Sequence, residues 1–459
     1  MVELQEPLSA LINHPQTFTK GKKFPQKIHI YDETLRDGEQ MPGVAFSPAQ
    51  KLRLARLLSD IGVDVILPAF ISSSESDREG YRLILQEREA GGIRPEIEIL
   101  TIARAHRGDI KLAADETRKA GVAVERVGIL ILSTTSDLHI KYKLGKTLLK
   151  YKGRPETEWL ATPVEWYRAA NIDLIAEHIA YAKELGFSTI EFASEDASRG
   201  NLAYLLPWAK ACREAGGTRL CFSDTCGVFT PDGVDHYFPP LLKSLPHGFP
   251  VTAHFHNDLG LASINTVQAL GHGASHASIT ANGIGERAGN GSIHQITVIL
   301  KELYGIELPD FRYDLLWKLR REIEDCSGIP IQAHEPIVGH NVFLHESGIH
   351  TAGISIHPAI YQFLDEKTVG GTHGFVYGKH SGRAALEVLI DRHPLLKDKK
   401  HLCTDAVLGQ ILAEIKDRRE HAHKDNGFGN VIDDYYRHLA GLGVSESAVA
   451  EIALKHLIS

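Results

Sequence analysis

A regular alternation of short apolar segments and helical segments is the feature that most constrains how this chain folds. Eight such strand–helix units follow one another along the chain. The strands are predicted at residues 27–32, 63–70, 96–103, 126–133, 187–193, 218–224, 251–256 and 276–282. This alternation implies a parallel sheet, and eight units within roughly 250–280 residues are typical of a (β/α)8 TIM barrel. An open doubly wound sheet is the alternative, but it would not need eight units of such even size.

The alternation stops near residue 305, and this change predicts three segments. Residues 1–26 are expected to form a polar N-terminal arm, 27–305 the catalytic barrel, and 306–459 a smaller, mainly helical C-terminal domain. A long loop is expected after the fourth strand, leading to a helix near Pro163. In the C-terminal domain, helices are predicted near 310–326, 404–423 and 430–457, with a Gly- and His-rich segment without clear periodicity between the first two.

Composition narrows the partners that this chain is expected to have. The formal net charge of −8 over 459 residues argues against nonspecific nucleic-acid binding. No apolar run approaches the ~18 residues of a membrane span, and the N-terminus lacks the charged-then-apolar order of a signal peptide. The five cysteines show no CxxC pairing, which favours reduced thiols in a cytoplasm. Neither nucleic acid nor a membrane is therefore expected as a partner.

Polar side chains follow the predicted strands at the end where TIM barrels carry their chemistry. If the barrel forms, these side chains should converge on one pocket. Of the adjacent carboxylates Glu195 and Asp196, Glu195 is the one expected to face that pocket. The candidates, in chain order, are Arg36, Asp37, Arg104, His139, Glu195, Thr225, His254, His256 and Asn290.

The segment AHFHND on the seventh strand is the sharpest element. Alternate residues of a strand share a face, so His254 and His256 project together. An isolated HxH is more often a hydrogen-bonded pair than a metal site. Asp37 at the end of the first strand, two strands away around a closed barrel, can supply a carboxylate and favours the metal site. Arg36 would then stabilise negative charge on a substrate oxygen, with a plain ion pair as the alternative.

The Gly-rich segment NGIGERAGNG after the eighth strand matches neither a dinucleotide-binding nor a P-loop spacing. A tight turn is the alternative to a functional loop. Within it, Asn290 is expected to help orient a metal-bound water, and Glu286 with Arg287 to form a structural pair.

Eight stretches in order, over roughly residues 27–390, together resemble the 2-isopropylmalate/homocitrate synthase family. These metal-dependent TIM-barrel enzymes condense an acyl-CoA with a 2-oxo acid. The stretches are DETLRDGEQMPGVAF, SDLHIKYKLGKT, EFASEDASR, SDTCGVFTP, HFHNDLGLASINT, NGIGERAGN, HESGIHTAGI and YGKHSGRAA.

The resemblance implies a role for each matching residue. Asp37, His254 and His256 would bind a divalent metal, Zn, Mn, Mg or Co, with Asn290 nearby. Acetyl-CoA would be the co-substrate, and a homodimer the expected assembly. Catalysis and 2-oxo acid binding would fall to Arg36, His139, Glu195, Thr225, His350 as general base and Tyr361 as an oxyanion or proton-relay partner. Arg104 is a further binding candidate from its place after the third strand.

The identity of the 2-oxo acid stays open at this point. Leu67 stands where many relatives have an acidic residue, and Thr252 replaces a glutamate typical of lysine-pathway homocitrate synthases. Pyruvate, 2-oxoisovalerate, 2-oxoglutarate and a phosphonate analogue all fit. A carbon–carbon lyase on the same barrel and a non-catalytic family member are the alternative functions. The candidates for CoA phosphate binding, each equally consistent with a solvated face, are Lys141, Lys143, Lys379 and Arg383.

Overall fold

A computed structural model describes residues 4–19, 21–425 and 428–457. Eight parallel strands form a closed barrel in chain order, and β1 pairs with both β2 and β8 to close it. The predicted TIM barrel is therefore confirmed. The strands are β1 His29–Asp32, β2 Val65–Ile66, β3 Glu98–Arg104, β4 Gly128–Thr134, β5 Thr189–Glu195, β6 Arg219–Asp224, β7 Val251–Phe255 and β8 His276–Ile279.

Helices alternate with these strands and continue beyond them, so the helical C-terminal region is also confirmed. Up to the end of the barrel they are α1 Leu8–Leu11, α2 Pro48–Ile61, α3 Glu75–Glu89, α4 Arg107–Lys119, α5 Gly145–Tyr151, α6 Val164–Leu185, α7 Leu202–Glu214, α8 Pro231–Ser244, α9 Ala262–His272 and α10 Ile293–Tyr304. The remaining helices are α11 Leu316–Ser327, α12 Gly348–Ile356, α13 Arg383–Arg392, α14 Asp405–Asp425, α15 Phe428–Gly441 and α16 Glu446–Leu457.

The first barrel helix shows how local sequence sets these boundaries. Ser47 and Gln50 form a reciprocal capping box at the start of α2, and Pro48 occupies the first turn, where its missing N–H costs no hydrogen bond. Gly62 ends the helix with φ of 103°. A side chain there would also collide with the carbonyl oxygen of Asp310, 2.1 Å from an added Cβ.

Three predicted elements differ from the structure. Strand β2 is only two residues long, because Pro68 has no N–H to extend the ladder. The segment predicted as a loop after β4 contains a π-helical turn, His139–Lys143, and α5, although α6 begins next to Pro163 as expected. The single helix predicted at 430–457 is wrong: α15 ends at a glycine, and Ser445 starts α16 by accepting a hydrogen bond from the Ala448 N–H.

The chain divides into two compact units, each described here by itself. The barrel unit comprises Phe18–Arg312 and Arg321–Gly328. The tail unit comprises Met1–Thr17, Tyr313–Arg320 and Ile329–Ser459. The tail unit adds a two-stranded parallel sheet, β9 Leu344–His345 with β10 Gly374–Phe375. No helix among the described residues combines the length and the apolar character needed to span a membrane.

The barrel interior is layered. Near the amino-terminal ends of the strands, the Arg219 guanidinium lies 2.8 Å from a Glu98 carboxylate oxygen and 3.1 Å from one of Glu191. Thr252 donates a 2.5 Å hydrogen bond to Glu191 and so belongs to this ionic layer. A buried apolar cluster that includes Leu67 fills the barrel beyond it. The candidate residues that line the cavity described below lie at the opposite, carboxyl ends of the strands.

Candidate active site

A cavity of about 410 Å³ opens at the carboxyl ends of the barrel strands. Its wall combines charged, polar and apolar side chains, which suits a small polar ligand with an apolar part. The lining residues with polar side chains are Glu33, Arg36, Asp37, Gln40, Glu195, Ser223, Thr225, His254, His256, Glu286 and Arg287. The other lining residues are Phe70, Ile102, Leu130, Leu132, Ala193 and Cys221.

Asp37, His254 and His256 converge at the base of this cavity. All three are buried, and one ligand atom of each lies within 4.8 Å of the other two. The Asp37 Oδ2 atom is 3.7 Å from His254 Nε2 and 3.8 Å from His256 Nε2, and the two Nε2 atoms are 3.1 Å apart. The cluster thus joins Asp37, from the loop after β1, to two histidines at the end of β7 that are more than two hundred residues away in sequence.

A hydrogen-bond chain behind His254 fixes the orientation of its ring. Ser278 on β8 donates its hydroxyl hydrogen to the Glu33 carboxylate, and the Ser278 oxygen lies 2.8 Å from His254 Nδ1. Because the hydroxyl hydrogen is used, Nδ1 carries the proton and donates it to Ser278. The Nε2 lone pair is then directed at Asp37 and His256. A partner on the far nitrogen is the usual arrangement for a metal-binding histidine.

The electrostatics leave the cluster as one anion and two neutral imidazoles. Burial, helped by Arg36, lowers the pKa of His254 to about 4 against the opposing effect of Asp37. Burial also lowers the pKa of His256 to about 4, together with repulsion from His254. Burial disfavours the ionised form of Asp37, but Arg36 and the two imidazoles outweigh it and hold the Asp37 pKa well below its usual value.

This donor set fits a divalent transition-metal ion. Ionised carboxylate and neutral imidazole are the forms that bind metals, so no proton has to be removed first. Next to the cluster, Nδ1 of His256 and Oδ1 of Asn290 are buried without a hydrogen-bond partner. The Asn290 amide nitrogen donates to Asp37 Oδ1 at 3.0 Å. Asn290 therefore borders the three-residue cluster and positions its carboxylate.

The Gly-rich segment after β8 packs directly against this cluster. A Cβ on Gly285 would lie 2.2 Å from Asn290 Nδ2 and 2.9 Å from Asp37 Oδ1. The adjacent Glu286 N–H donates to Asp37 Oδ1 at 3.3 Å. The glycine is thus required for close approach of the backbone to a carboxylate, not for cradling a phosphate.

Arg36 is held between two carboxylates and faces the cavity. One guanidinium nitrogen donates to Glu33, and another lies 3.1 Å from Asp37 Oδ2. Its Nε is buried without a partner. The guanidinium is therefore ion-paired, which was the alternative interpretation of the sequence. It also lines the cavity beside Asp37, His254 and His256, which we call the metal-ligand cluster because of its donor atoms.

Glu195, Thr225 and His139 lie on adjacent strand ends. Both carboxylate oxygens of Glu195 accept hydrogen bonds from Lys143 Nζ at 2.6 Å. Burial opposes ionisation of Glu195, but His139 and Lys143 outweigh it and lower its pKa. Thr225 lines the cavity while its hydroxyl accepts from the Asp196 N–H at 2.8 Å. His139 does not line this cavity; its Nε2 lies 3.6 Å from Asp196.

Arg104 is not brought to the cavity that holds the metal-ligand cluster. It lines a neighbouring cavity of about 470 Å³, and its guanidinium forms two hydrogen bonds to Asp109, at 2.6 and 2.9 Å. Its position at the end of β3 had suggested substrate binding, but the nearby carboxylate at the start of α4 captures it. Arg287, which was expected to form a structural pair with Glu286, donates hydrogen bonds to Asp258 at 2.7 and 2.8 Å.

His350 and Tyr361 belong to the tail unit. Their rings stack with centroids 4.2 Å apart and planes 16° from parallel. His350 lies in the first turn of α12 and is exposed, and Tyr361 follows the turn Pro358–Ile360.

Both tail cations that were candidates for CoA phosphates have acidic neighbours: Lys379 Nζ is 3.4 Å from Glu420, and Arg383 is 3.0 Å from Asp405.

Two positioning residues escaped the sequence reasoning. Glu33 lies in the same stretch as Arg36 and Asp37 but was not singled out, and Ser278 looked like an ordinary strand residue. The usable signal was register: Ser278 aligns with both His254 on β7 and Tyr31 on β1, so its side chain shares their face of the barrel wall.

Comparison with known proteins places the chain in a family. An HMGL-like family model matches residues 27–158 and 159–318, and a model described as homocitrate synthase post-HMGL domain-like matches 337–421. Homocitrate synthase AksA of Methanopyrus kandleri is 34% identical over 411 residues, covering 86% of this chain and 94% of that protein.

Two further matches agree with this assignment. The 2-isopropylmalate synthase of Sulfurisphaera tokodaii is 34% identical over 404 residues, covering 87% of this chain and 93% of that protein. The crystal structure of an HMG-CoA lyase from Bacillus subtilis shares the fold, with a TM-score of 0.52 and 18% identity over 68% of this chain and 97% of that one. The chain belongs to the 2-isopropylmalate/homocitrate synthase family of HMGL-like barrels.

Proposed function

We propose that this chain condenses acetyl-CoA with a 2-oxo acid. The methyl carbon of the acetyl group bonds to the keto carbon, and water cleaves the thioester, giving free CoA and a 2-substituted malate. The observation that carries this proposal is the buried Asp37, His254 and His256 cluster beside Arg36, in a chain whose relatives are named as synthases of this class.

A divalent metal, Zn, Mn, Mg or Co, would be held by Asp37, His254 and His256. When bound, it supplies Lewis-acid polarisation of the substrate's keto group. The protein's part is to keep both imidazoles neutral and the carboxylate ionised, which the burial and charges of the site support. Ser278 and Glu33 orient His254, and Asn290 orients Asp37.

Arg36 is proposed to stabilise the developing alkoxide and to bind the acid's carboxylate. Its guanidinium already faces the cavity, and a preorganised cation in a desolvated site stabilises such charge without reorganisation. Thr225 offers a hydroxyl at the same wall. Glu195, whose pKa is lowered, is proposed to act as an ionised carboxylate that places Lys143 at the cavity rim.

His350 is proposed as the general base that removes a proton from the acetyl methyl group, with Tyr361 as its relay partner. The stacked rings of this pair support the assignment, since stacking fixes the imidazole's orientation. The division into an arm, a barrel and a C-terminal domain that carries the base belongs to this proposal. The homodimer and the cytoplasmic location stay predictions.

A thiol-release assay tests the proposal. Purified protein is given acetyl-CoA, each divalent metal in turn and a panel of 2-oxo acids, and free CoA is measured. We expect release only when both a metal and a 2-oxo acid are present, and its loss with a chelator. His254→Ala should reduce kcat by at least 100-fold while titration calorimetry shows weakened metal binding. Cleavage of a hydroxyacyl-CoA without any condensation would instead support a lyase.

A further inference from the structure

We propose that the 2-oxo acid used by this chain carries an uncharged, apolar substituent rather than a second carboxylate or a phosphonate. This inference rests on the condensation proposed above and concerns the part of the cavity that the reacting groups do not occupy. It selects among the 2-oxo acids that the sequence left open.

The cavity is divided by strand order into a polar and an apolar side. Arg36 and the cluster of Asp37, His254 and His256 come from the loop after β1 and from the end of β7, and the loop after β8 adjoins them. In a closed eight-stranded barrel, β3 and β4 lie across the lumen from β7 and β8. The apolar lining residues come from that far side and its neighbours and are Phe70, Ile102, Leu130, Leu132, Ala193 and Cys221.

Among the lining residues on this side, Glu195 at the end of β5 is the one with a charged side chain, and its charge is negative. Leu130 and Leu132 alternate along β4, and Leu130 pairs in register with Ile102 of β3, so the hydrocarbon wall continues from one strand to the next. Burial raises the pKa of the Cys221 thiol, which therefore stays neutral. Leu67, the unusual residue of the second strand, lies in the apolar cluster beneath this wall. A substituent that extends from the keto carbon across the lumen meets hydrocarbon.

Lysine and arginine side chains of this cavity and of the neighbouring one already have carboxylate partners. Lys143 contacts both oxygens of Glu195 at 2.6 Å. Arg104 binds Asp109 in a bidentate bridge, and Arg287 binds Asp258 at 2.7 and 2.8 Å.

Arg36, which contacts Glu33 and Asp37, is the remaining arginine among the described residues that line the cavity, and it lies beside the Asp37, His254 and His256 cluster. In the proposed reaction, Arg36 is needed there to bind the carboxylate of the 2-oxo acid and to stabilise the alkoxide oxygen. A distal anion would consequently be buried against leucine and isoleucine without a free partner, which is strongly unfavourable.

Two measurements on the full-length protein test this inference. The first compares kcat/KM in the thiol-release assay for pyruvate, 2-oxobutyrate, 2-oxoisovalerate, 2-oxoglutarate and 3-phosphonopyruvate. We expect at least a 100-fold preference for the best uncharged acid over either dianionic one. Each buried methylene should add a factor of roughly four until the cavity is filled. A higher kcat/KM for 2-oxoglutarate or 3-phosphonopyruvate overturns the inference.

The second measures binding of the same acids to the metal-loaded protein without acetyl-CoA, by titration calorimetry. Tighter binding of the uncharged acids without CoA release would support the apolar site while contradicting the proposed condensation. Absence of binding by every acid, or preferred binding of a dianionic one, overturns the inference.

A matched pair of variants tests whether the apolar side of the cavity determines the preference for an uncharged 2-oxo acid. Leu132→Arg places a cation on the apolar side at a position that is only partly buried, and it should shift the ratio of 2-oxoglutarate to 2-oxoisovalerate turnover by at least tenfold toward 2-oxoglutarate. Leu132→Met should keep the wild-type ratio. If Leu132→Arg does not fold, Phe70→Lys, at a partly buried position in the loop after β2, serves the same purpose. An unchanged ratio in a folded variant contradicts the assignment.

Discussion

At the residue scale, His254 shows how much of the proposed metal site lies outside the three residues that would bind the metal. The ring offers its Nε2 to the cavity because Ser278 accepts from Nδ1 and itself donates to Glu33. Glu33 in turn accepts from Arg36, which also contacts Asp37. One chain of hydrogen bonds thereby connects a ligand on β7 to a carboxylate ligand after β1.

Removing the middle of this chain should weaken metal binding without changing the ligands. Ser278→Ala leaves His254 Nδ1 with the Glu33 oxygen 3.5 Å away as its nearest acceptor. Loss of an orienting partner typically reduces metal affinity by about 10–100-fold, and titration calorimetry with a divalent ion measures this directly. Ser275→Ala is the matched control, because Ser275 contacts His276 at the other end of β8. Equal affinities for Ser278→Ala and the wild type would contradict the orienting role.

At the element scale, a buried lysine on α2 joins the loops that follow β1 and β2. Lys51 is fully buried, and its Nζ donates to the carbonyl oxygens of Leu35 at 3.0 Å and Pro68 at 3.2 Å. Its charge is balanced by Asp77, which it contacts, and by Glu39 at 2.6 Å. Leu35 immediately precedes Arg36, so this contact fixes the backbone that carries the reacting charges.

Lys51→Met should therefore be strongly destabilising. It leaves two carboxylates without their shared cation, and breaking a buried pair typically costs about 3–5 kcal/mol. Urea denaturation measures the loss. Lys111→Met is the control: Lys111 pairs with Asp115 on an exposed helix face at 2.5 Å, where the loss should stay below about 1 kcal/mol. Equal effects of the two substitutions would show that Lys51 does not hold the loops together.

The sequence predicted the secondary-structure elements and their order better than it predicted side-chain contacts. Eight apolar segments separated by helical patterns specify the barrel, because strand period and connection length leave few other topologies. The convergence of Asp37 with His254 and His256 followed from the barrel and from side-chain alternation. The capture of Arg104 by Asp109 did not, because it depends on the rotamer of a long side chain at a helix start. The break between α15 and α16 was missed although two glycines and a capping serine mark it.

At the scale of the whole molecule, buried ionisable groups connect stability to pH. Asp32 at the end of β1 is fully buried, and burial raises its pKa to about 7, although Thr34 donates two hydrogen bonds to it. In the unfolded chain the same carboxyl ionises near pH 4. Between about pH 4 and 7 the folded chain therefore keeps a proton that the unfolded chain has lost, and stability falls as pH rises through this window.

Asp32→Asn removes this dependence. Relative to the variant, the wild type should lose on the order of 3 kcal/mol of unfolding free energy between pH 4.5 and 8. Urea denaturation of both proteins at several pH values gives the difference. Asp115→Asn, at a partly exposed site on α4, should follow the wild-type profile closely. A pH profile of Asp32→Asn that parallels the wild type would contradict the raised pKa.

The central claim is that this barrel joins the acetyl carbon of acetyl-CoA to a 2-oxo acid, and product analysis with labelled acetyl-CoA tests it most directly. The metal-loaded protein is incubated with acetyl-CoA labelled with carbon-13 at both acetyl carbons and with 2-oxoisovalerate or pyruvate, and the acids formed are identified by mass spectrometry. The account predicts a 2-substituted malate containing both labelled carbons, formed in equal amount with free CoA and absent after chelation. Free labelled acetate as the sole product, or no labelled acid with any 2-oxo acid, would contradict it.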